Sequence, residues 1–122
     1  MLWCLAHCTK DLADYPGLKV KDLYVGHGET VGAYSTIYVY YQGSFTDGKI
    51  FDRHVRPEQP RRYSMSANTL IEGWKVGLLG MKVGGKRRLE IPAAFAYGEK
   101  GKYGRIPPHA KLIFEVELME VK

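Results

Sequence analysis

From Leu18 onward the chain is written in short apolar and polar alternations broken by glycine, the texture of strands joined by turns. Leu18, Val20 and the run Leu23-Tyr24-Val25 predict a first strand, closed by Gly26 and Gly28. Between Tyr34 and Gln42 the alternation is regular: Ile37, Val39 and Tyr41 share one face, expected to be buried, while Tyr38, Tyr40 and Gln42 share the other. Thr46-Asp47-Gly48-Lys49 reads as a tight turn whose glycine supplies the positive φ that other residues resist. The period then changes. Asn68 is placed to cap a helix in which Leu70, Ile71, Trp74 and Leu78 form one stripe, and Gly77 and Gly80 keep that helix short. After Gly84-Gly85, Leu89 and Ile91 point inward on one strand, as do Phe114, Val116 and Leu118 on the run from Leu112 to Val121. Residues 92–111 join these two strands, and connections of that length in a compact domain commonly carry function.

The first fifteen residues differ in texture, with Leu2, Leu5, Ala6, Leu12 and Ala13 at loosely helical spacing before Tyr15-Pro16-Gly17. They read as an N-terminal extension, residues 1–15, laid on a single domain of residues 16–122, with Leu2 and Trp3 available to a partner in a second reading. A length of 122 residues leaves no material for another core. No run approaches the roughly 18 apolar residues that cross a bilayer, so a membrane is not expected as a partner.

With 18 Lys and Arg against 13 Asp and Glu, the charge of +5 favours acidic surfaces without naming one. No recognised nucleic-acid motif accompanies it, so nucleic acid is not the expected partner. The two cysteines, Cys4 and Cys8, lie outside the expected core and point to a reducing compartment, cytoplasmic or nuclear. Cys4, His7 and Cys8 offer three ligands where structural zinc takes about four, so neither a metal nor another cofactor is expected. The chain has no Gly-x-Ser-x-Gly elbow, no phosphate-binding loop with Lys-Ser/Thr, no His-Glu-x-x-His and no paired Cys-x-x-Cys. Hydrolases and nucleotide enzymes are thereby set aside.

Aromatic residues are what the sequence does supply: Tyr41, Phe51, Tyr63, Trp74, Phe95, Tyr97, Tyr103 and Phe114. They sit within an ordered set of motifs. Tyr41-Gln42-Gly43 comes first, then Asp47 to Asp52 (Asp-Gly-Lys-Ile-Phe-Asp), then Ile71-Glu72-Gly73-Trp74. Gly80 to Arg87, Ala96-Tyr97-Gly98, Ile106 to Ala110 and Leu112 to Leu118 follow. In this order, from about Gly17 to Lys122, the chain resembles the FKBP-type peptidyl-prolyl cis-trans isomerases, a family that also binds macrolide immunosuppressants. The resemblance implies an α+β fold, a curved antiparallel sheet of about five strands wrapped around one short helix. It implies catalysis of X-Pro bond rotation in protein segments, with no cofactor and no covalent intermediate. An FKBP-like binding module with little turnover is the alternative.

Carried over residue by residue, the resemblance makes Trp74 the floor of a proline pocket and Tyr41, Phe51, Ile71 and Phe114 its walls. Tyr97 would donate to a substrate carbonyl, the Ile71 N–H would serve another, and Asp52 would be the polar side chain facing the pocket beside the Tyr41 hydroxyl. Arg61, Tyr63, Leu70, Lys102, Tyr103, Arg105 and Ile106 would contact substrate around it. The chain also departs from the family. Arg61 stands where an aromatic wall is common, and Pro57 where some relatives have an arginine that steadies the carboxylate, leaving Arg53 or Arg56 to replace it. Arg53, Arg56, Arg62 and Lys100 are expected near the same mouth. A basic rim of this kind would favour acidic residues beside the proline and weaken macrolide contacts.

Overall fold

Six strands form one antiparallel sheet: β1 (Lys19–Tyr24), β2 (Thr36–Ser44), β3 (Ile50–His54), β4 (Arg61–Ser64), β5 (Lys86–Ile91) and β6 (Leu112–Val121). Their order is β1-β5-β6-β2-β3, with β4 also on β2. The one α-helix among the described residues is α1 (Glu72–Gly77). The computed structural model describes residues 12–122, so Leu2, Trp3 and the Cys4, His7 and Cys8 group lie outside the described residues. Close to the start of the described chain, Tyr15 packs edge-on against Phe95, with ring centroids 5.1 Å apart.

The α+β architecture expected from the sequence is the one observed, with six strands rather than about five. The added strand arises because β3 and β4 lie end to end along one edge of β2, pairing with Tyr41–Ser44 and Thr36–Val39 respectively. Pro57 and Pro60 fall between them, and neither has the N–H that would continue the ladder. On its other edge β2 pairs with β6, from Ile37 opposite Val121 to Ser44 opposite Ile113.

Helix α1 begins later than the sequence suggests. Its N-cap is Ile71, extended at φ −65° and ψ 149°, with no side-chain cap. Asn68 caps nothing, because a turn closed by Leu70 N on Ala67 O occupies the positions where its helix would begin. Six residues make too short a helix to persist alone, so packing must hold it. Gly73 lies over Ile91, and Gly77 lies over Leu89, where a Cβ would stand 2.8 Å from Leu89 Cδ2. From β5, Arg87 donates to Gly77 O and Leu79 O at 2.9 Å each, satisfying carbonyls at the helix end, and its Nε reaches Asp22 Oδ1 at 2.8 Å.

Between helix and sheet sits the core, in which Ile37, Val39, Leu89, Ile91, Leu112 and Val116 are fully buried. The opposite sheet face carries exposed ion pairs, including Arg88 with Glu115, Lys86 with Glu115 and Arg56 with Glu117. Tyr40 belongs to that outer face and is nevertheless buried, because the Arg56 guanidinium lies 4.6 Å from its ring centroid and its hydroxyl donates to Glu58 O at 2.7 Å. Leu23, Tyr24 and Val25 stay exposed, since β1 is an edge strand.

Candidate active site

The register of β2 against β3 decides what the recess contains. Gly43 faces Asp52 and Ser44 faces Ile50, so Phe51 has no partner of its own and the ladder bulges there. In an unbroken strand Phe51 and Asp52 would point to opposite faces; at the bulge both line one recess. Glycine at position 43 makes room for this. A Cβ there would stand 2.7 Å from both Phe51 Cζ and Phe114 Cε1.

The recess holds about 90 Å³ of open volume, where a water needs roughly 10–15 Å³ in the same measure, so a small ring fits. Trp74, 3% exposed, forms its floor, and Tyr41, Phe51, Ile71, Tyr97 and Phe114 line it with Tyr63 and Leu70. Three rings meet the indole edge-on: Tyr63 at 5.2 Å, Tyr41 at 5.4 Å and Phe114 at 5.4 Å between centroids. This arrangement fixes the indole plane. Its Nε1 is buried and has no hydrogen-bond partner among the described residues. Thr69 also lines the recess, and in the sequence only its place beside Leu70 and Ile71 points to it.

Polar groups gather at one wall. The Tyr41 hydroxyl donates to Asp52 Oδ2 at 2.8 Å and accepts from Arg61 Nη1 at 3.2 Å and Tyr63 OH at 3.3 Å. Burial, followed by the hydrogen bonds with Tyr63 and Asp52, pushes the Tyr41 phenol well above the ordinary phenol range, so it stays protonated. Burial also raises Tyr97, helped by nearby Tyr63 and Asp52 and opposed by Arg105. Two donors on the recess have no partner among the described residues: the Tyr97 hydroxyl and the Ile71 N–H.

Asp52 is steadied from an unexpected direction. Arg105 Nη2 lies 3.5 Å from Asp52 Oδ1 and donates to Phe51 O at 3.2 Å. Neither Arg53 nor Arg56 takes this part: Arg56 is held by Glu117 at 3.1 Å on the outer face, and Arg53 pairs across from Gln42, whose side chain also faces outward. Strand alternation turns Arg62 outward as well, between Arg61 and Tyr63. Lys102 Nζ sits 5.6 Å from the Tyr97 ring centroid. Tyr103 is fully exposed, and Ile106, 6% exposed, packs into the core; with Lys100, Lys102 and Arg105 they line a separate groove rather than the recess.

A family model described as FKBP-type peptidyl-prolyl cis-trans isomerase matches residues 28–119. The chain belongs to this family. It is 46% identical over 103 residues to FK506-binding protein 4 of Dictyostelium discoideum, covering 84% of this chain and 28% of that protein. With the FK506-binding protein of Neisseria meningitidis serogroup B the identity is 44% over 105 residues, covering 86% and 96%. The chain therefore spans about a quarter of the length of the first relative and nearly all of the second. Among solved structures, FkpA from Escherichia coli superimposes with a TM-score of 0.79 at 40% identity, covering 87% of this chain and 48% of that one. AtFKBP13 does so with a TM-score of 0.78 at 31% identity, covering 88% and 96%. In this FKBP-type domain the recess, its indole floor and its two unpartnered donors thus lie on a framework shared with both structures. No helix among the described residues is long and apolar enough to cross a membrane.

Proposed function

We propose that the recess receives a proline ring and accelerates rotation about the preceding peptide bond in protein substrates. The carrying observation is the open aromatic cavity over Trp74, with the Tyr97 hydroxyl and Ile71 N–H unpartnered beside it. Rotation about an amide meets a barrier of about 18–20 kcal/mol, because resonance must be broken. The planar amide carries more separated charge than the twisted one. An apolar site that displaces water therefore disfavours the ground state relative to the transition state. Donors at Tyr97 and Ile71 hold the flanking carbonyls while the bond turns. No bond is made or cut, and neither nucleophile nor cofactor is required.

Arg61 supports a finer reading of the substrate. Among the described residues its guanidinium reaches no carboxylate; it touches the Tyr41 hydroxyl and lies 5.5 Å from the Tyr63 ring centroid. A cation so placed at the wall favours a proline with an acidic neighbour. Relatives are named for binding FK506, and the macrolide belongs to this reading as a ligand, weakened where Arg61 replaces apolar contact.

The test is NMR exchange spectroscopy on a proline peptide with the intact chain, Trp74→Leu and Tyr97→Phe. Acceleration by the intact chain, with a loss of about tenfold or more in Trp74→Leu and a smaller one in Tyr97→Phe, is expected. Circular dichroism establishes that each variant folds. Binding without exchange in the intact chain would select the module with little turnover instead.

A further inference from the structure

Beyond the recess, the tip of the connection between β5 and β6 bears a second concavity, of about 500 Å³. Tyr103, Pro107 and Pro108 give it apolar walls, and Lys100, Lys102 and Arg105 give it charge. The tip is an ordered hairpin. Lys102 N donates to Ile106 O and Ile106 N to Lys102 O, each at 2.8 Å, while Gly101 and Gly104 take φ of 66° and 76°. This backbone holds Tyr103 wholly in solvent, where the ring contributes nothing to the fold.

Charge distinguishes this groove from the outer sheet face. On the outer sheet face Lys86, Arg88 and Lys111 each reach a glutamate, whereas Lys100 and Lys102 reach no carboxylate among the described residues. The groove also adjoins the recess. Lys102 lies over the ring of Tyr97, and Arg105 reaches from the tip to Phe51 O and Asp52. One polypeptide can therefore occupy both.

We infer that this groove docks an acidic segment of the same polypeptide that presents the proline, with its carboxylates against Lys100 and Lys102 and an apolar side chain against Tyr103. The inference rests on the recess receiving an X-Pro bond. It adds a second, charge-selective anchor outside that recess.

Fluorescence anisotropy tests it with a short proline peptide and the same peptide extended, before or after the proline, by a glutamate-rich or a lysine-rich tail. A glutamate tail on one side is expected to bind about five- to tenfold more tightly than the short peptide, a gain that fades at high salt. Lys100→Glu should abolish the gain while leaving exchange of the short peptide unchanged, and Tyr103→Ala should reduce it about threefold or more. Equal affinity for glutamate and lysine tails, or a gain that survives Lys100→Glu, would overturn the inference. So would displacement of the glutamate peptide by a single-stranded oligonucleotide at lower concentration, which would assign the groove to nucleic acid. Absence of exchange with the short peptide would count against catalysis alone, since docking is read from binding.

Discussion

A Cβ placed on Gly73 would stand 2.5 Å from Ile91 Cγ2 and 2.7 Å from its Cδ1. Ile91 is fully buried and cannot yield, so this glycine sets how closely α1 approaches β5. Alanine is ordinarily the better helix residue by about 1 kcal/mol. Here Gly73→Ala is expected to destabilise by about 1–3 kcal/mol, and to slow exchange because Trp74 is the next residue. Denaturation of the double variant with Ile91→Ala checks the cause: the two effects should fail to add by about 1 kcal/mol or more. Strict additivity would remove the contact from the explanation.

Arg87 predicts an asymmetry between its two partners. Its side chain is 12% exposed and supplies hydrogens to Gly77 O and Leu79 O, while Asp22 is 41% exposed. Arg87→Met leaves the two carbonyls unsatisfied and should cost about 2–4 kcal/mol. Asp22→Asn removes only a solvated ion pair and should cost under about 1 kcal/mol. Urea denaturation of both variants compares them directly, and equal losses would shift the weight to the ion pair.

The protonated Tyr41 makes the fold sensitive to alkali. An unfolded phenol loses its proton near pH 10, whereas the folded one keeps it, so the unfolded state binds fewer protons above that pH. This contribution is present in full below about pH 10 and is lost as pH rises further, at up to about 1.4 kcal/mol per pH unit. Tyr41→Phe should flatten the alkaline slope in denaturation measured across that range. Tyr41 and Tyr97 should both ionise above the ordinary phenol range in an ultraviolet titration.

For Arg61 the expectation concerns selectivity. Glu-flanked proline peptides should exchange about three- to fivefold faster than Leu-flanked ones at low salt, and the difference should shrink as salt is added. In Arg61→Leu the preference should vanish while the Leu-flanked rate persists. Equal rates for both peptides in the intact chain would refute an acidic preference.

Alternation in Ile37, Val39 and Tyr41, and in Leu89 and Ile91, was readable because a period of two needs only neighbouring residues. What escaped the sequence depends on distant segments or on a broken ladder. The same alternation rule separates Phe51 from Asp52, and only the bulge opposite Gly43 brings them together. In sequence Arg53 and Arg56 are the cations near Asp52, but the long connection returns Arg105 to it from across the domain. Tyr40 looked solvent-facing because the Arg56 that covers it follows a separate excursion of chain. Asn68 had the right side chain for a cap but sits in a turn that delays the helix to Glu72. The motifs around Tyr41, Ile71, Trp74, Tyr97 and Phe114 were legible as a family resemblance, and the structure gathers all of these residues at one recess.

Strand β6 is the last of the described strands in sequence yet lies at the middle of the sheet, between β5 and β2. During synthesis the other strands leave the ribosome before the one that joins them. Until Phe114 and its neighbours emerge, the nascent chain has neither a completed sheet nor the ring that closes the cavity. The protein must therefore wait for its own late strand, with long-range pairing as the step that commits it to the native state.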